Sequence, residues 1–251
     1  MIKLFRKIRQ RLLTENKFSK YLLYAIGEIL LVVIGILIAL QINNKNELSK
    51  ENETARILAL SLIEDLQKDS DFLKEGIDFS EQKIAHCTLL QSALSKPITQ
   101  LNTLDFYKSI SIVGQSNPFF PTDGTYEQIK ASGTLKYFDQ SLINKLNAYD
   151  MHTNKTLYWT DVEDKTLWLM AEVLWTGINI QALGEIRFDQ PINQDQDQYI
   201  KIKEDDMGTF ANYVAAVKTY RQKILFEYKK QFDMANDILK TLKSEYILQK
   251  K

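Results

Sequence analysis

The sequence predicts an all-α protein, in which one N-terminal transmembrane helix continues into an elongated antiparallel helical bundle. Three observations carry that prediction. Residues 21–42, YLLYAIGEILLVVIGILIALQI, form an apolar run of 22 residues with a single ionisable group, Glu28. Only nine Gly and four Pro interrupt the 251 residues, too few for the frequent turns of an all-β domain. Near the C-terminus, Phe210, Val214, Val217, Ile224, Tyr228, Phe232, Ala235, Leu239, Leu242 and Tyr246 recur in almost continuous 4-3 steps, a coiled-coil-like stripe that needs a partner helix.

Residues 1–20 read as a basic amphipathic segment. Phe5, Ile8 and Leu12 fall at helical spacing among Lys3, Arg6, Lys7, Arg9, Arg11, Lys17 and Lys20, with Glu15 the only acid. Such a segment suits the anionic inner surface of a bilayer. At about 1.5 Å of rise per residue the apolar run reaches roughly 33 Å, enough to cross a hydrocarbon core of about 30 Å. A cleaved signal sequence would have a shorter core and a small-x-small site, and Leu37-Ile38-Ala39-Leu40-Gln41 does not supply one. Beyond residue 42 the 25 basic residues are outnumbered by 30 acidic ones. The positive-inside bias therefore predicts a single-pass bacterial inner-membrane protein with a cytoplasmic N-terminus and a periplasmic remainder, residues 43–251.

Within the span, Gly27, Gly35 and Ala39 share one stripe through Leu31. Small residues let helices approach closely, which points to self-association or docking on another membrane subunit; Gly and Ala are also simply common in such helices. A carboxylate at Glu28 is costly in lipid. An assembly contact, a proton-linked role, a protonated neutral acid and a side chain reaching toward the interface near Lys20 are the available readings, with assembly favoured over a proton pathway.

After the span, Leu62, Leu66, Leu73, Ile77, Ile84, Cys87, Leu90 and Leu94 predict a stalk helix over about 45–95, stopped by Lys96-Pro97. Residues 97–124 break the period. Ser109-Ile110-Ser111-Ile112-Val113 suits a short strand, and Asn117 to Gly124 a loop with two buried phenylalanines, Phe119 and Phe120, capping the bundle or, less favoured, forming a ligand lid. Helices return over about 125–180. A short one spans Tyr126 to Ala131 and ends at Ser132-Gly133. The next is capped by Asp139 or Ser141 and carries Leu142, Leu146 and Tyr149 through Trp159, and a further apolar stretch runs from Trp168 to Gly177. Residues 184–206 read as an acidic loop and 207–248 as the long C-terminal helix.

The chemistry is mostly negative. His86 and His152 are the only histidines and Cys87 the only cysteine, so no closed site of four N/S ligands is possible, and Cys87 on its apolar stripe reads as a buried small hydrophobe rather than an intermolecular bridge. The histidines fit surface or interhelical polar positions. Asp189, Asn193, Asp195 and Asp197 lack the register of a calcium loop. Trp159, Trp168 and Trp175 read as core before they read as a ligand cage. No nucleotide motif and no Ser-His-Asp set stands out. The expectations are no catalytic residue, no cofactor, no metal and no nucleic-acid partner.

The opening MIKLFRKIRQRLL and NKFSKYLLYAIGEILLVVIGILIALQINN, with TYEQIKASGTL at residues 125–135, resembles an uncharacterised family of single-pass inner-membrane proteins, mostly from Bacteroidota, known as domain of unknown function 6090. Where many members have a tryptophan after the two asparagines, Lys45 stands here. The resemblance implies a periplasmic helical domain and carries over no catalytic residue.

The expected function is that of a non-enzymatic structural or accessory subunit of a cell-envelope complex. Its partners would be the lipid bilayer and either copies of itself or another envelope membrane protein. Gly27, Glu28, Gly35 and Ala39 are the membrane-helix contacts, and Tyr126 and Gly133 the candidate periplasmic contact. The alternative is a helical-bundle sensory or ligand-binding module signalling through a membrane partner, a reading by fold analogy.

Overall fold

The computed structural model describes residues 18–97, 100–188 and 200–247. Every regular element among them is helical. Helix α1 spans Phe18–Leu94, α2 Thr103–Val113, α3 Gly124–Ser132, α4 Gln140–Trp175, α5 Ile180–Arg187 and α6 Glu204–Tyr246, with a 3-10 turn at Thr134–Tyr137 between α3 and α4. Residues 1–17 of the basic segment and 189–199 of the acidic loop, with Asp189, Pro191, Asn193, Asp195 and Asp197, lie outside the described residues.

The chain divides into two units, residues 1–56 and 57–251. In the first, the described residues all belong to α1. Local pairs decorate its polar turns, Asn43 Nδ2 donating to Glu47 at 3.2 Å and Arg56 facing Glu53 at 3.9 Å.

In the second unit, the remainder of α1 packs with α4 and α6. Side-chain pairs fix the direction of the helices: Gln67, Ser70, Glu81 and Gln91 of α1 meet Lys243, Asn236, Lys229 and Lys218 of α6, one number rising as the other falls. The same opposition holds between α4 and α6, where Lys145 pairs with Asp237, Thr156 with Gln231 and Glu163 with Arg221. The predicted C-terminal stripe faces inward from Phe210 to Leu242, with Phe232 and Tyr246 partly covered. One apolar cluster joins Leu90, Phe106, Leu167, Leu174 and Phe210; another joins Leu73, Phe119, Ile224 and Tyr228.

The segment expected to hold a strand is helix α2. Asn102 caps it by accepting from Asp105 N at 3.2 Å, and Phe106, Ile110 and Val113 are buried at helical spacing, so packing and capping override the β-branched run. Of the two loop phenylalanines, Phe119 is fully buried while Phe120 is exposed. The acidic connection starts later than expected, because Asn179 accepts from Gln181 N and Ala182 N and so nucleates α5. Residues 140–175 form one uninterrupted helix, capped by Asp139 through Ser141 N at 2.7 Å. Gly133 ends α3 with φ +68°, the left-handed turn that glycine adopts without a Cβ penalty.

Candidate functional site

Gly27, Glu28, Gly35 and Ala39 all lie on the exposed surface of α1. A Cβ built at Gly27 or Gly35 meets nothing within 4 Å. From Leu22 to Ile42 no described residue is buried, and this stretch is the one described helix segment long and apolar enough to cross a membrane. Tyr126 packs into the fold, and Gly133 does not. The Tyr126 ring is buried, its hydroxyl donates to Asn147 Oδ1 at 2.6 Å, and the Lys130 ammonium sits 4.6 Å from the ring centroid. Gly133 is exposed at its helix end.

Polar residues that periodicity passed over occupy the interior of the second unit. Near the middle of the helices, Arg221 of α6 donates through Nε to Glu163 Oε1 of α4 at 2.8 Å and through Nη2 to the other carboxylate oxygen. Lys83 of α1 lies 3.3 Å from the same carboxylate and donates to the Gln115 carbonyl at 2.6 Å. All three side chains are at most 1% exposed. Phe79 adds a ring face beneath the guanidinium, 5.4 Å from centroid to Cζ. Burial, opposed by Glu163 and reinforced by Arg221, pushes the Lys83 ammonium down to about 8.

Two further polar layers follow along α4. Glu227 is buried against Lys223 at 2.7 Å, Lys155 at 2.9 Å and His152 at 3.2 Å, held by charge more than by aligned hydrogen bonds. Burial acts to raise its carboxyl, but the two lysines outweigh it and hold it below the ordinary value. His152 is shifted down by burial, against the pull of Glu227. Gln231 then bridges Thr153 and Thr156. Farther on, Asp69 accepts from Thr122 N and from the Tyr149 hydroxyl, both at 2.8 Å. Burial raises the carboxyl of Asp69 and the phenol of Tyr149.

These layers join helices to one another. Each acid of these layers already faces a base or a donor of the same fold. Cys87 is buried, as its stripe predicted, and burial pushes its thiol up to about 11, an unreactive state. His86 bonds Ser109 at 3.1 Å, and burial lowers it too. Among the described residues no group of three or more His, Cys, Asp or Glu is placed to hold a metal.

The tryptophans divide. Trp159 is partly covered beside the Leu73 cluster, but Trp168 and Trp175 are exposed, contrary to the expectation of core. Their seven-residue spacing does put them on one face of α4, but the buried face is that of Leu167, Met170 and Leu174. The charged layers had a legible signal of their own: Arg221 stands four residues after Val217 and three before Ile224, inside the apolar stripe.

Fold and site together define an all-helical protein with one candidate membrane span and a helical body crossed by buried ion pairs. A family model described as a family of unknown function, DUF6090, matches residues 28–182, more than half of the chain. The protein belongs to this family. The match includes Lys83 and Glu163 and stops before Arg221 and Glu227. No curated protein and no solved structure matches the chain.

Proposed function

We propose that this protein is a non-enzymatic, membrane-anchored structural or accessory subunit of a bacterial cell-envelope assembly. It crosses the inner membrane once, with residues 1–20 cytoplasmic and residues 43–251 forming an elongated periplasmic antiparallel bundle. The observation that carries this reading is the stretch from Leu22 to Ile42, apolar except for Glu28 and the terminal Gln41 and without a single buried residue. In water that surface would be a severe liability; in lipid it is the expected one. The basic residues of segment 1–20 support the orientation. The mutual engagement of the interior acids and bases supports a scaffold rather than a catalyst.

Purification in mild detergent followed by mass spectrometry of the accompanying proteins tests the assembly role. Gly27→Leu and Gly35→Leu are informative because a Cβ at either position meets nothing within 4 Å, so loss of a complex reports on an intermolecular contact rather than on overpacking at the new Cβ. The expected result is a reproducible partner or a self-associated species that both variants weaken. A monomer indifferent to both changes refutes the assembly role. A C-terminal tag protected from protease in intact spheroplasts refutes the orientation.

A further inference from the structure

A groove of about 370 Å³ opens along α4 between the end of α2 and α5, within the size range of small-molecule sites. Its floor is apolar, from Ile110, Leu167, Leu174 and Leu183. Its rim carries Trp168 and Trp175, 66% and 56% exposed, with ring centroids 6.4 Å apart and planes at 83°. Two large indoles left in solvent beside an apolar hollow are unusual for a residue type that is highly buried on average. Opposite charges flank the end of the groove where the chain leaves α2. Asp164 accepts from the Ser116 hydroxyl, and Arg187 donates to the Ser111 carbonyl at 3.2 Å. Asp164 keeps further acceptor sites, since a carboxylate offers about four.

That charge arrangement selects the ligand. Asp164 and Arg187 line the same groove, so an ion of either sign enters a site that holds a like charge as well as an opposite one and gives up hydration for a partly offset attraction. A neutral donor loses little and gains a charge-assisted hydrogen bond. We propose that the groove binds a small uncharged aromatic molecule bearing one hydroxyl-type donor, its rings against Trp168 and Trp175 and its donor on the Asp164 carboxylate. The inference stands independently of the membrane role.

Full-length protein in lipid nanodiscs tests it, with 2-naphthol, 2-naphthoate and 2-naphthylmethylammonium as probes of one shape and three charges, read by tryptophan emission and equilibrium dialysis at pH 7. The expected result is saturable binding of 2-naphthol, about tenfold tighter than either ion. Ala171→Phe, which fills the groove, and Trp168→Ala, which removes an exposed ring from a folded chain, should each weaken that binding by about tenfold and leave only linear uptake by the bilayer. Trp159→Phe should leave it unchanged. Tighter binding of either ion, or uptake identical in wild type and both variants, overturns the proposal. A concentration-dependent blue shift of the emission without probe also overturns it, because it would give the indole face to a second copy of the chain.

Discussion

Two stretches of the same helix invert the usual relation between polarity and burial. From Leu22 to Ile42, α1 is almost wholly apolar and buries no residue, whereas between Leu62 and Leu90 it buries Asp69, Ser70, Ser80 and Lys83 among its leucines. The second stretch shows what a helix does when neighbours supply partners: Lys83 turns inward where Glu163 meets it, Asp69 where Thr122 and Tyr149 do, Ser70 beside Asn236, and Ser80 beside Arg221 and the Gly76 carbonyl. The first buries none of its described residues, and its composition is that of a candidate membrane span. Burial is thus a poor guide to polarity until the surroundings of each stretch are specified.

The comparison breaks most sharply at Glu163. Glu163→Ala leaves Lys83 and Arg221 enclosed without their carboxylate, and an expected loss of about 3–5 kcal/mol in unfolding free energy should be measurable by denaturant titration. A loss under about 1 kcal/mol would mean that water reaches the site and that the buried stretch is less distinct than it looks. The exposed stretch is challenged by Val32→Arg. A guanidinium at the centre of a membrane span should disfavour insertion by about 2.5–3.5 kcal/mol, seen as protein extracted by alkaline carbonate, whereas an unchanged membrane fraction would remove lipid as the surrounding medium.

Packing density sharpens the contrast at the glycines. A Cβ at Gly76 would stand 2.7 Å from Cε2 of Tyr228, a ring fixed by its hydroxyl bond to the Asn117 carbonyl at 2.9 Å. Gly76→Ala should cost about 1–3 kcal/mol through overpacking. Gly208→Ala, with open space around the new atom, should be neutral or slightly stabilising by calorimetry.

Buried titratable groups make the contrast depend on pH. Lys83 falls from its ordinary 10.5 to about 8 in the fold, so between those values the unfolded chain holds more protons, and stability should rise as pH increases from about 8. The rise should be absent from Lys83→Met. It is limited above about pH 10 by Tyr149 and Tyr228, whose phenols are raised by burial and so favour unfolding once the unfolded chain ionises. His152, lowered by burial, works at the other end: below its ordinary 6.5 the unfolded state takes up the proton first, and stability should fall with acid. His152→Gln should flatten that acid limb in thermal melts.

Local chemistry made several features legible without coordinates. The membrane-length run, the Asp139 cap, the Gly133 stop and the 4-3 stripe from Phe210 to Leu242 depend on backbone capping and on the 3.6-residue period, which neighbours in sequence decide. Other features waited for tertiary structure because distant residues decide them. Residues 109–113 alternate well enough for a strand, and only the packing of Phe106, Ile110 and Val113 into the core makes them helical. Trp168 and Trp175 share a face with each other, yet which face of α4 turns inward depends on where α2 and α6 lie. Arg221 interrupts an apolar stripe, and periodicity alone reads it as an exception; Glu163, fifty-eight positions away, makes it a member of the core. A charge can be read as buried only when its counter-charge is in view, and that is long-range information.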